Sequence, residues 1–198
     1  MRLIQKIFLL IILFAFATAE GQSPNMPLIN VQTKVFISGT SNLHNWHMNA
    51  ENPQCQLAFF RPDTGNPVVG KVFFKFQATD LKSESTIMDR KAYKALKAKK
   101  YPVIRFVSEN RTPLTVKNAH FSGIKTGSLS IAGITHTVNL RIVGESLRAD
   151  TISFSGSLAI KMSSFGISPP TAIFGVLKTG DKIVIHYQVK FVSKKPVR

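Results

Sequence analysis

In residues 71–78, Lys71-Val72-Phe73-Phe74-Lys75-Phe76-Gln77-Ala78, apolar and polar side chains largely alternate. Every second residue, from Val72 through Phe74 and Phe76 to Ala78, is apolar, and three of the four intervening positions carry lysine or glutamine. Successive side chains of a β-strand point to opposite faces of the sheet, so this period of two predicts a strand with one buried face.

The same alternation recurs along most of the chain, and turn-forming pairs separate the segments. Short alternating strands separated in this way predict one all-β domain with an antiparallel barrel or sandwich. The other alternating sets are Ile104/Phe106, Leu129/Ile131, Val138/Leu140/Ile142, Ile152/Phe154/Leu158/Ile160 and Ile183/Ile185/Tyr187/Val189/Phe191. The predicted turns are Asp63-Thr64-Gly65-Asn66, Ser122-Gly123, Ala132-Gly133 and Thr179-Gly180-Asp181.

One segment has the composition of a helix. Residues 89–100 are rich in Ala, Lys and Leu, with Asp89 as the predicted N-cap and Pro102 beyond the end. Ala92, Tyr93 and Leu96 share one face at helical spacing. We predict a short amphipathic helix that plugs or flanks one end of the β structure, with most of its lysines in solvent.

The first nineteen residues have the pattern of an export signal. Arg2 and Lys6 precede an apolar run from Ile7 to Phe16, and residues 17–19 are small enough for signal peptidase. A run of about ten residues is too short to span a bilayer, which takes roughly 20. The predicted organisation is therefore a signal peptide at 1–19, a flexible leader at 20–30, a β-barrel domain at 31–193 and a basic tail at 194–198, with the protein in the periplasm.

The net charge of the chain indicates which kinds of partner the protein could bind. The net charge is +16, and it falls to +14 without the signal because Arg2 and Lys6 are the only charged residues that cleavage removes. The lysines are spread around the domain and do not form one dense basic stripe, and export also argues against binding to nucleic acid. An anionic membrane surface and plain solubility explain the charge equally well. The single cysteine, Cys55, excludes an internal disulfide and is predicted to be buried and inert.

The residues needed for common enzyme mechanisms are missing. No glycine begins a G-x-S-x-G nucleophile motif, and the P-loop-like run from Gly65 to Lys71 has Val72 where the metal-binding hydroxyl should be. His44 and His47 form the one close histidine pair, whereas a catalytic zinc needs three protein ligands. We therefore predict a protein that is not an enzyme, with no catalytic residues and no metal site.

Large apolar side chains are in excess on the inward register. In a barrel of about eight strands such side chains either fill the interior or line a cavity for a ligand. Alternation by itself favours a filled core, because periodicity does not detect a void. The residues concerned are Phe74, Phe76, Phe106, Phe154, Tyr187 and Phe191.

Four motifs in order resemble those of the YceI-like family, and together they extend from about Val31 to Val192. The first runs from Thr86-Ile-Met-Asp-Arg-Lys to Tyr101-Pro-Val-Ile-Arg-Phe106, and the second is Gly127-Ser-Leu-Ser-Ile-Ala-Gly-Ile-Thr-His-Thr-Val-Asn-Leu140. The last two are Ser163-Ser-Phe-Gly-Ile167 and Gly180-Asp-Lys-Ile-Val-Ile185.

The resemblance implies an extended antiparallel β-barrel of about eight strands, lipocalin-like, with a cavity for a long-chain lipid of the isoprenoid quinone or polyprenyl type and no other cofactor. Three departures mark a subfamily: the segment Thr40–His47, the order Asp89-Arg90, and the loop at 168–177, which with Trp46 is predicted to shape the barrel mouth. The alternative is a ligand-free interaction or stress protein that uses its basic surface or this loop. The ligand-binding residues that the strand register predicts are Phe74, Phe76, Ile104, Phe106, Leu129, Phe154 and Tyr187, together with Trp46.

Overall fold

The structure is a computed structural model that describes residues 25–62, 64–118, 120–148, 150–172 and 176–194. The predicted signal peptide at 1–19, residues 20–24 of the leader and residues 195–198 of the basic tail lie outside this part of the chain. Of the predicted turn at 63–66, residue 63 also lies outside it.

The described residues form a curled antiparallel sheet with one α-helix, which confirms the all-β, lipocalin-like fold class. Nine strands have six or more residues and five are shorter, so the count exceeds the predicted eight. The strands are β1 (Asn25–Met26), β2 (Leu28–Ser41), β3 (Asn45–Ala50), β4 (Gln54–Phe60), β5 (Val68–Gln77), β6 (Leu81–Lys82), β7 (Val103–Ser108), β8 (Thr112–Pro113), β9 (Thr115–Lys117), β10 (His120–Ile131), β11 (Ile134–Arg148), β12 (Thr151–Lys161), β13 (Thr171–Ala172) and β14 (Leu177–Ser193).

The pairing between strands curls the sheet towards a barrel. The hydrogen-bonded order is β1-β4-β5-β7-β10-β11-β12-β14-β2-β3-β6. Only Pro27 separates β1 from β2, yet β1 pairs with β4 at one end of the ladder and β2 pairs with β14 near the other, so these two consecutive strands connect the two sides of the sheet. This closes one end of the barrel and leaves an interior to be filled by side chains or by a ligand.

Residues 25–30 differ from the prediction of a flexible leader, because they belong to β1 and the start of β2. Their backbone groups pair with two strands, Asn25 with Phe60 on β4 and Asn30 with Phe191 on β14. Composition alone marked this polar, Pro-containing segment as loop, whereas the ladder provides it with hydrogen-bond partners on both sides.

The helix α1 spans Thr86–Ala95 and therefore starts and ends earlier than predicted. Ser85 is the N-cap, with its hydroxyl accepting from the Met88 N–H, and Asp89 is not the cap. Instead the Asp89 carboxylate is buried and accepts hydrogen bonds from the backbone N–H and hydroxyl of Ser83, at 2.8 and 2.7 Å. Lys97 has a positive φ of 52°, which is incompatible with a continuing helix, so 96–100 are turns.

Of the predicted turns, Ala132-Gly133 forms the β10–β11 hairpin turn, with both residues at positive φ. Two other predicted turns lie inside strands. Ser122-Gly123 is in β10, where a Cβ on Gly123 would lie 2.8 Å from the Leu114 side chain, so this glycine allows a close approach. Thr179-Gly180-Asp181 is in β14 at an irregularity in its pairing with β2, and this bulge explains the turn-like composition.

Buried apolar residues form two clusters along the barrel axis. An upper cluster surrounds α1 and includes Phe76, Ile104, Phe106, Leu129 and Phe165. A lower cluster fills the barrel near the β1–β4 pair and contains Phe59, Phe121, Phe154 and Phe191 among others. The barrel is therefore solid at one end. Within the described residues, no helix has the length and apolar character that crossing a membrane requires.

Candidate ligand-binding site

A cavity of about 410 Å³ lies above the lower cluster, inside the barrel. Ligand sites in proteins typically measure about 300–1,000 Å³, so this volume suits a small molecule. Its wall consists almost entirely of aliphatic and aromatic side chains from α1 and the inward faces of the long strands. The exposed residues His44, Ser85 and Ile87 also line it, which shows that the cavity reaches solvent at the α1 end.

All eight residues that the sequence selected line this cavity. Phe74, Phe106 and Leu129 face one another across β5, β7 and β10, because their Cα positions are in register. Phe76 and Ile104 form the next pair towards α1. The remaining three are Tyr187 on β14, Phe154 on β12 and Trp46 on β3. Their contact with a ligand stays a prediction.

Phe154 differs from the others because it also belongs to the lower cluster, which forms the packed floor of the cavity. Its ring lies 5.8 Å from the Phe59 ring and 6.5 Å from the Phe191 ring, with edge contacts to both. Only 2% of its surface is exposed, whereas Phe74, on the cavity wall, is only partly buried. Phe59, which lies at the centre of the floor, was missed by the sequence reasoning because its strand, β4, lacks clear alternation.

The mouth of the cavity is built from three segments. These are the β2–β3 turn, the first half of α1 and the described parts of the loop at 168–177. Asn42 holds two of them together: its side chain donates to the Val176 carbonyl at 2.8 Å and accepts from the Lys178 N–H at 2.9 Å. Lys91 on α1 donates a hydrogen bond to the Thr171 carbonyl and so joins the helix to the loop at 168–177.

Trp46 lies across the neighbouring strand just inside the mouth. Its ring occupies the space above Gly39, where a Cβ would lie 2.2 Å from a ring carbon, and its indole N–H donates to the Thr40 carbonyl at 3.0 Å. Trp46 and the described loop residues Pro170, Thr171 and Leu177 line the cavity, and their role in shaping the barrel mouth stays a prediction.

Three polar groups line the lower part of an otherwise apolar wall: Cys55, Tyr187 and Lys125. Burial raises the pKa of the Cys55 thiol to about 12, which agrees with a buried, inert cysteine. Burial also raises the pKa of the Tyr187 hydroxyl, which donates to the Arg141 carbonyl at 3.0 Å. Both groups are neutral at physiological pH.

Lys125 was missed by the sequence reasoning. It is 1% exposed, and its ammonium group donates to the carbonyls of Val69, at 3.3 Å, and Asn110. From β10 the side chain therefore reaches β5 and the turn that precedes β8. Counting back by twos from Leu129 would have placed Lys125 on the inward face.

We expect Lys125 to give the protein an alkaline stability dependence. Burial lowers the pKa of its ammonium to about 8, partly opposed by the Glu109 carboxylate. Between pH 8 and the unfolded-state pKa near 10.5, the unfolded chain binds a proton at Lys125 that the folded chain does not. The wild type should therefore gain stability relative to Lys125→Met as pH rises through this window, by at most about 1.4 kcal/mol per pH unit.

Urea unfolding of both proteins at pH 7, 8, 9 and 10 measures this difference. Cys55 and Tyr187 also titrate at alkaline pH, but they are present in both proteins and so cancel. A stability difference that stays constant from pH 7 to 10 would show that Lys125 keeps an ordinary pKa in the folded state.

His44 and His47 are the close histidine pair of the sequence. Among the described residues, no group of three His, Cys, Asp or Glu side chains is placed to hold a metal ion. His44 is exposed at the mouth, and His47 is exposed further along β3, paired with Ser38.

The sequence matches the family described as YceI-like domain over residues 31–191. The chain belongs to the YceI-like family. This match covers most of the chain, and it confirms the resemblance that the four motifs indicated. No curated protein matches the sequence at a significant level.

Solved structures of other YceI-like and related proteins share the fold. BcnA from Burkholderia cenocepacia has a TM-score of 0.62 at 18% identity, covering 80% of this chain and 95% of that one. A polyisoprenoid binding domain from Saccharophagus degradans, implicated in plant cell wall breakdown, has a TM-score of 0.60 at 9% identity, covering 85% and 99%. The YceI protein of Campylobacter jejuni has a TM-score of 0.59 at 20% identity, covering 96% and 100%.

Proposed function

We propose that this YceI-like protein is an exported, periplasmic lipid-binding protein that holds a long-chain amphiphile, of the isoprenoid quinone or polyprenyl type, in the barrel. The observation that carries the proposal is the apolar cavity of about 410 Å³, open at the α1 end and closed by packed phenylalanines at the other. The polyisoprenoid binding domain from Saccharophagus degradans, which has a similar fold, supports this ligand class.

The shape of the cavity favours a ligand that enters tail first. An apolar tail gains about 0.8 kcal/mol for each methylene that leaves water, and the cavity wall offers it few polar groups. A polar head would then remain at the mouth, where Lys91 and His44 are available to it. The proposal is one of binding and not of catalysis, and burial raises the pKa of both the Cys55 thiol and the Tyr187 hydroxyl on the wall, which keeps them neutral.

The experiment that tests this function is native mass spectrometry of protein exported to a bacterial periplasm. We expect a stoichiometric added mass that solvent extraction releases as a long-chain lipid. If the protein is free of added mass, titration with ubiquinones and polyprenols should produce it. A mass unchanged by all of them would overturn the carrier function and favour an interaction protein that uses its basic surface or the loop at 168–177.

A further inference from the structure

The mouth of the cavity carries a concentration of exposed apolar side chains. We define the mouth rim as Leu43 in the β2–β3 turn, Ile87 in the first turn of α1 and Val176 before β14. Their exposed fractions are 63%, 59% and 63%, which puts them among the four most exposed large apolar residues that the structure describes. Single exposed apolar residues are ordinary, but three around one opening mark an interaction surface.

The mouth rim is held together by the contacts described above. Asn42, next to Leu43, is hydrogen-bonded to the carbonyl of Val176 itself at 2.8 Å. Lys91, one turn after Ile87, is hydrogen-bonded to Thr171 at the start of the same loop. The three apolar side chains therefore come from segments that the structure joins around the cavity opening, although they are far apart in sequence.

Lysines lie on the segments that carry the mouth rim. Lys91 lines the opening, Lys94 and Lys97 are exposed on α1 and the turn after it, and Lys178 is exposed on β14, two residues after Val176. Glu84, just before α1, is the nearest exposed carboxylate along that segment. Apolar side chains bordered by lysines match the interface of an anionic bilayer, where the apolar groups enter the acyl boundary and the lysines meet the headgroups.

We propose that the mouth rim docks on an anionic lipid bilayer, with the cavity opening directed at the membrane. This docking proposal rests on the proposed lipid-binding function, because its purpose is to let a lipid tail pass from the bilayer into the cavity without crossing water. The surface contact itself is measured separately from lipid uptake. A protein partner would require complementary acidic groups, whereas the bilayer needs only negative charge and an apolar interior, both of which the mouth rim and its lysines match.

Trp46 provides a site-specific probe, because it is the only tryptophan of the chain and lies just inside the mouth. Vesicles of phosphatidylglycerol and phosphatidylethanolamine that contain a dansyl lipid should accept energy from Trp46, and the protein should sediment with them. Binding should be much weaker to phosphatidylcholine vesicles. It should also fall at high salt, by about fivefold for each lysine contact that is screened.

The decisive variant is Leu43→Ser/Ile87→Ser/Val176→Ser, whose three side chains are more than half exposed, so that the effect on folding should be small. We expect its partition onto anionic vesicles to fall by tenfold or more. The matched control is Ile124→Ser/Val143→Ser on the outer wall, where Ile124 is 62% exposed, and it should bind as the wild type does.

Equal vesicle binding by the rim variant and the wild type would overturn the docking proposal, as would no binding by the wild type at low salt. The second result would favour a protein as the partner of the mouth rim. Either outcome is independent of the extraction experiment: a protein that carries lipid without binding vesicles refutes only the docking, and one that binds vesicles without carrying lipid refutes only the carrier function.

Discussion

Replacing Phe154 with alanine should destabilise the protein by about 3–5 kcal/mol, the range for a fully buried phenylalanine. The ring is 2% exposed and packs against Phe59 on β4 and Phe191 on the adjacent strand β14, so its removal leaves a cavity that these neighbouring rings do not close. Urea unfolding of lipid-extracted protein measures the effect. Extraction is needed because a bound ligand stabilises the folded state by mass action and would mask the difference.

Phe74→Ala is the matched control for this prediction. Phe74 is also an inward phenylalanine in the same barrel, but part of its ring faces the cavity, where it has no protein contacts to lose. Its replacement should cost only about 1–2 kcal/mol and should widen the site. Equal costs for the two substitutions would contradict the division of the barrel into a packed floor and an open cavity.

These two phenylalanines also show what the sequence predicts and what it does not. Both occupy apolar positions of alternating strands, so the period of two correctly places them inside the barrel. Whether a side chain faces a void depends on what the opposite wall contributes, and strands far apart in sequence build that wall. The alternation therefore favoured a filled core, and the lower cluster is filled in that way while the upper part of the barrel is not.

Lys125 illustrates a second limit. Its position in the inward register is visible in the sequence. A lysine at an inward position interrupts the apolar alternation, however, and the sequence does not identify the hydrogen-bond acceptors that would allow its burial. Those acceptors are the backbone carbonyls of Val69 and Asn110, which lie 56 and 15 residues away in the sequence. No residue type in the sequence marks a free carbonyl. The same holds for Asn42, whose hydrogen bonds to residues 176 and 178 build the mouth.

Filling the cavity should have the largest effect on binding, and Leu158→Trp is the substitution that does so. Leu158 lies on β12, is partly buried and lines the cavity between the floor and the mouth. An indole at this position would displace about four methylenes of a bound tail, which at 0.8 kcal/mol each corresponds to about 200-fold weaker binding. Native mass spectrometry titrations with geranylgeraniol and a short-chain ubiquinone measure the change.

Ser157→Trp adds the same indole one residue earlier on β12, where the side chain is exposed on the outer face. It should bind both lipids as the wild type does, so the pair separates a loss of cavity volume from a general effect of tryptophan on the strand. Leu158→Trp should also unfold at an unchanged or higher urea concentration, because the added ring gains apolar contacts in a space that was empty. Full lipid binding by this variant would mean that the tail lies elsewhere than in the barrel cavity.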